Sequence, residues 1–98
     1  MSFTIQNSEG KSLGFLLMTH QGSFGECLFR LAPKRPHTSE TRDSDVLQKL
    51  QAIGKLKFLI LNNVIIIRHP EIYEPIIIEN NLLTVNEQQY QLVELNNS

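Results

Sequence analysis

Cys27 is the chain's one cysteine, and His20 precedes it closely enough to share a hairpin with it. A thiolate nucleophile needs a base or a positive field beside it, and His20 could be that base. The surrounding pattern points elsewhere. Alternate residues Cys27, Phe29 and Leu31 form one apolar strand face, whereas Glu26 falls on the opposite face and cannot orient the pair. An isolated cysteine among apolar neighbours is usually a buried structural thiol, so no catalytic residue is assigned. His20, His37 and His69 fall in predicted loops and read as surface residues. None stands in a His-x-x-x-His, His-Glu-x-x-His or paired-cysteine spacing, so neither a metal nor any other cofactor is expected. Gly22-Ser23-Phe24-Gly25 has the spacing of Gly-x-x-Gly loops that approach nucleic-acid backbones. Those loops join helices, and a hairpin turn accounts for both glycines here.

Two other clusters could contact a partner. Pro33 to Arg42 holds Lys34, Arg35, His37 and Arg42, enough positive charge to neutralise several phosphates. It contains no aromatic residue on which a base could stack; Phe29 and Phe58 flank it at core spacing. Arg30, Pro33 and Pro36 have the spacing of polyproline ligands for aromatic grooves, although Arg30 belongs to a strand. Thr38, Ser39 and Thr41 could accept phosphate beside Arg35 and Arg42. The second cluster, Glu71-Ile72-Tyr73-Glu74, lies between Pro70 and Pro75. Tyr73 is of the type that anchors interfaces, unless Tyr73 and Ile72 fold back onto the core. The candidate partner-contacting residues are therefore Lys34, Arg35, Arg42, Ile72 and Tyr73.

The elements that position them can be read from periodicity. Phe3–Gln6, Leu13–Thr19 and Phe24–Leu31 read as strands of a three-stranded meander within residues 1–32. Connections this short imply antiparallel hairpins. Residues 33–42, with two prolines, read as an exposed basic loop. Asp43 to Ile53 is a helix, because Val46, Leu47, Leu50 and Ile53 share one helical face. Asp43 or Ser44 suits its N-cap, and Gly54 its C′ position. Residues 55–95 return to antiparallel strands: Leu56–Leu61, Val64–Ile67, Ile76–Glu79, Leu82–Val85 and a last run from Tyr90. Asn62-Asn63 suits a tight hairpin, since asparagine tolerates the left-handed conformation; the alternative is one long bent strand. Residues 96–98 read as a frayed tail. The expectation is one α+β domain: a mostly antiparallel sheet or small partly open β-barrel of about seven strands, with the helix between strands 3 and 4.

Composition narrows the function. The 98 residues are 41% hydrophobic and 19% charged, with a formal net charge of -1, which disfavours a dedicated nucleic-acid or membrane-surface binder. The charges are nonetheless segregated. Residues 30–68 carry eight basic and three acidic side chains, and residues 69–98 carry five glutamates and no Lys or Arg. No signal peptide or long apolar span is visible, and a lone cysteine suits a reducing compartment, so cytoplasm is the expected location. Val64–Ile67 and Ile76–Ile78 are apolar on both faces, and a strand of that kind needs cover on both sides. The leading expectation is a non-enzymatic protein-binding or assembly module, working through sheet edges and apolar strand faces as a homodimer or with a protein partner. The alternative is a nucleic-acid-associated protein using the basic segment 30–57. A third is an enzyme with an interface pocket.

Overall fold

A computed structural model describes residues 1–32 and 42–95, with side-chain placement in the second stretch from residue 45 onward. The chain order is β1 (Ser2–Gln6), β2 (Ser12–Gln21), β3 (Phe24–Leu31), α1 (Arg42–Ile53), β4 (Leu56–Leu61), β5 (Val64–Ile67), β6 (Ile76–Glu79), β7 (Leu82–Val85) and β8 (Gln88–Glu94). Each strand pairs antiparallel with its sequence neighbour, and β8 returns to pair with β1, closing an eight-stranded barrel. The expected small antiparallel barrel with one helix between strands 3 and 4 is present; it is closed rather than partly open, with eight strands rather than about seven. Closure rests on the pairing of Phe3–Gln6 with Gln91–Glu94. It is extended by the Leu95 N–H donating to the Ser2 carbonyl at 2.8 Å.

Alternation along the strands sorts side chains between two faces. Phe3, Ile5, Leu16, Met18, Cys27, Phe29, Leu56, Phe58, Ile67, Ile76, Ile78, Leu83, Val85, Tyr90 and Leu92 point inward and form one buried cluster. An eight-stranded barrel has an interior just wide enough to be filled by side chains, and these aliphatic and aromatic groups fill it. Tyr90 keeps its hydroxyl satisfied by donating to Gln88 Oε1 at 3.0 Å. A membrane-spanning barrel needs strands of about 9–11 residues and an outward apolar band. Here β5, β6 and β7 have four residues each, and β8 presents Gln89 and Gln91 outward. No described helix is long and apolar enough to cross a membrane.

The helix fills a gap the sheet leaves. Only Phe24–Cys27 of β3 pair with β4, so Leu28–Leu31 lack a neighbouring strand on that side. Helix α1 packs against β3, its Leu47 and Leu50 join the barrel core, and Gln51 Oε1 accepts the Leu31 N–H at 2.6 Å. Arg42 opens the helix rather than closing the preceding loop. Gly54 takes the left-handed C′ conformation, with φ of 89°. The side chains of Asp43 and Ser44, and with them the N-cap, lie outside the described set.

Turn chemistry sets the register. Asn62-Asn63, Asn80-Asn81 and Asn86-Glu87 each hold two consecutive positive φ angles, the type I′ geometry whose twist matches the flanking strands. The hairpin at Asn62-Asn63 thus holds, and the long bent strand does not. The turn between β2 and β3 is only Gly22-Ser23, so β2 runs past the expected Thr19 end through His20 and Gln21. Gly25 is a strand residue, not part of that turn. It is glycine because a Cβ there would run into the Phe58 ring and the Thr19 carbonyl. Gly14 faces inward at a φ of 153°, where a Cβ would meet the Arg30 carbonyl oxygen at 2.4 Å and Leu31 Cα at 2.6 Å.

Two stability predictions follow from these contacts. Gly14→Ala must displace the β3 backbone and costs more than about 2 kcal/mol in chemical denaturation; a loss under 0.5 would contradict the close approach. Glu87, with φ of 70°, is a non-glycine residue in the left-handed region. Glu87→Gly raises stability by roughly 0.5–1 kcal/mol, read as a higher Tm.

Candidate functional site

Filling the interior with one alternate set of residues leaves the other set outside. On β3 to β6 that second set is also apolar. Phe24 stands opposite Leu59, Leu59 opposite Ile66, and Ile66 opposite Ile77. One row on, Leu61 stands opposite Val64. These side chains belong to no part of the buried cluster. Phe24 is 70% exposed and Leu61 50%, while Leu59, Val64, Ile66 and Ile77 are half-buried. Helix α1 packs against β3.

The charged border of this wall has its own order. Lys57 and Arg68 line one shallow concavity with Phe24, Phe58, Leu59, Leu61 and Ile66. The register makes Lys57 and Arg68 neighbours, each one step beyond the Phe58–Ile67 pair. Like charges side by side on adjacent strands are unfavourable. Neither has a carboxylate within salt-bridge distance among the described residues; Glu26, directly across from Lys57, instead lies 3.9 Å from Lys55 Nζ. Glu79 borders the opposite side of the wall, one step beyond the Ile65–Ile78 pair. Among the described residues, none of Glu71, Glu74, Glu79, Glu87 and Glu94 stands within salt-bridge distance of a lysine or arginine; Glu71 lies 4.0 Å from His69 Nδ1. Among the described residues, the opposite charges of the two stretches are thus not neutralised by direct pairing.

The sequence candidates separate in the structure. Lys34 and Arg35, with His37, Thr38, Ser39 and Thr41, lie outside the described residues, as does the side chain of Arg42. Ile72 is half-buried and packs against the core. Tyr73 is 99% exposed and shares a second concavity with Arg68, His69, Pro70, Ile72 and Pro75. The loop is held by the Glu71 N–H donating to His69 Nδ1 at 3.0 Å and by the Ile72 N–H donating to the His69 carbonyl at 2.9 Å. Sequence reading missed Phe24, Leu59 and Leu61 as surface residues. The available signal was the run of apolar residues on both alternations of β4 and β5.

The thiol of Cys27 is 2% exposed, and burial pushes its pKa up to about 12. It is a thiol, not a thiolate, at neutral pH. His20 stands at the exposed end of β2, its Nδ1 3.2 Å from the Gly22 carbonyl oxygen, and does not share the Cys27 environment. No three of the described His, Cys, Asp and Glu side chains cluster in a way that could hold a metal. Comparison with protein-family models, with curated proteins and with solved structures returns no match to this chain. The class that geometry alone defines is a closed eight-stranded meander barrel with a filled interior and an apolar outer wall.

The raised Cys27 pKa has a defined pH sign. A thiol whose folded pKa exceeds its unfolded value stabilises fully below the unfolded value, and that contribution is lost as pH rises toward the folded one. Wild type should lose stability between about pH 9 and 12 more steeply than Cys27→Ala, measured by urea unfolding across that range. Parallel pH profiles would contradict the buried thiol.

Proposed function

We propose that the chain is a small non-enzymatic protein-binding or assembly module that docks through the outer wall of β3–β6. The observation that carries this reading is the cross-strand row Phe24, Leu59, Ile66, Ile77 on the outside of a barrel whose inside is already filled. Exposed contiguous apolar patches rimmed by polar groups mark interaction surfaces. Phe24 supplies an aromatic anchor and Leu61 an aliphatic one, and Lys57 and Arg68 give the rim a sign. Docking by strand addition has little room in this reading, because every strand has two neighbouring strands except along Leu28–Leu31 of β3, where α1 lies alongside; the side-chain face remains.

The wall variant Leu61→Asp with Ile66→Asp tests this. These side chains do not enter the core, so the variant should unfold within a few degrees of wild type. Light scattering of purified protein, and size fractionation in native-host extract, should show wild type in a larger species that the variant leaves. If wild type and variant run identically as monomers in both settings, the wall docks nothing.

A single-stranded nucleic acid is the second reading, favoured by Phe24 exposed beside Lys57 and Arg68, one stacking surface with two cations. It predicts binding to mixed-sequence RNA or DNA at low salt. That binding should weaken steeply with added salt and be lost on replacing Phe24, Lys57 and Arg68 together with alanine. No binding at low salt removes it.

A further inference from the structure

We infer that the occupant of the wall is a second copy of this chain, packed face to face about a two-fold axis that crosses the strands at the level of Leu59 and Ile66. The inference rests on the docking role of the wall and names its partner and geometry. The reason is the placement of charge about the apolar centre. Lys57 and Arg68 border the wall on one side along the strand direction. Glu79 borders it on the other, next to Leu82 in the β6–β7 pair. Val64, which lies level with Glu79, and Arg68 are four residues apart on one chain segment, so the two borders are separated by about 13 Å.

A two-fold face-to-face contact is isologous, each patch meeting its own copy. Two orientations of the axis are possible. With the axis parallel to the strands, Lys57 of one copy meets Arg68 of the other, adding repulsion to a pair already unfavourable within each copy. With the axis across the strands, the middle rows self-pack, Leu59 on Leu59 and Ile66 on Ile66. The two borders then exchange: Lys57 of each copy lies over Leu61 of the other, and Glu79 lies over Pro75, one strand from Arg68. Arg68 and Glu79, which have no ion-pair partner among the described residues of one copy, thereby gain each other. The four-strand wall is about 14 Å wide and about 13 Å high, so it covers on the order of 200 Å² per copy, below the roughly 600 Å² per partner of small specific interfaces, and residues around its border must add to the contact. Association should therefore be concentration-dependent, with Kd in the micromolar range, about 1–100 μM.

Sedimentation equilibrium on the full chain at low and high salt tests this with a charge swap. Glu79→Lys and Arg68→Glu should each weaken dimerisation by about tenfold or more. The double variant carrying both should recover to within about threefold of wild type, and salt should weaken wild type and the double variant alike. Circular dichroism of each variant confirms folding. Single variants that dimerise like wild type, or a double variant no better than the singles, overturn the two-fold arrangement. If Leu61→Asp with Ile66→Asp still abolishes association in that case, the docking wall stands and only its occupant geometry falls. A wild type that stays monomeric at several hundred micromolar overturns the second copy as occupant, leaving the wall's docking role to the host-extract experiment.

Discussion

The controlling constraint is volume. A strand sends every second side chain to the same face, and eight short strands enclose a space that one such set fills. Phe29, Phe58, Leu16, Ile67, Ile76 and Leu83 with their neighbours take that space, and α1 adds Leu47 and Leu50 at the gap between β3 and β4. Nothing further can enter, so Leu59, Ile66 and Ile77 must stay outside however apolar they are. The close backbone approaches at Gly14 and Gly25 express the same constraint: where the wall bends tightly, even a Cβ is too much.

That constraint supports the proposed docking role. Side chains occupy the interior, burial pushes the Cys27 pKa up to about 12, and the apolar residues left over lie on the outer surface. It is uneven around the barrel. β1, β2 and β8 present Gln6, Gln89 and Gln91 with a short apolar pair, Phe15 and Val93, on either side of Thr4, whereas β3–β6 present the longer row Phe24, Leu59, Ile66 and Ile77 with Leu61 beside it. The proposed docking face is that longer row.

Much of the fold was legible because its signals are local. The Asn-Asn turns announce positive φ, the Val46–Ile53 periodicity announces a helix, and the Gly54 stop is where a C′ glycine belongs. Closure was not legible, because pairing β1 with β8 joins the two ends of the chain and leaves no local mark. The turn at Asn86-Glu87 was legible, but not its geometry, since a glutamate gives no hint that it will sit at φ of 70°. For the site, the apolar excess of Val64–Ile67 and Ile76–Ile78 foretold missing cover, but not that Phe24 would be the most exposed ring of the wall. For Ile72 and Tyr73 the sequence left open whether they fold back onto the core; Ile72 packs against it while Tyr73 is exposed, a split that only the tertiary fold decides.

The central claim is that one copy of the chain shelters one set of its apolar residues and leaves the other in water. Methyl NMR with a soluble paramagnetic probe measures this residue by residue. In dilute protein the interior methyls of Ile67 and Leu83 should be shielded, and those of Leu61 and Ile66 strongly relaxed; on concentrating, the wall methyls alone should become protected. Wall methyls as shielded as Ile67 in the dilute protein would mean that the chain already covers its own outer face.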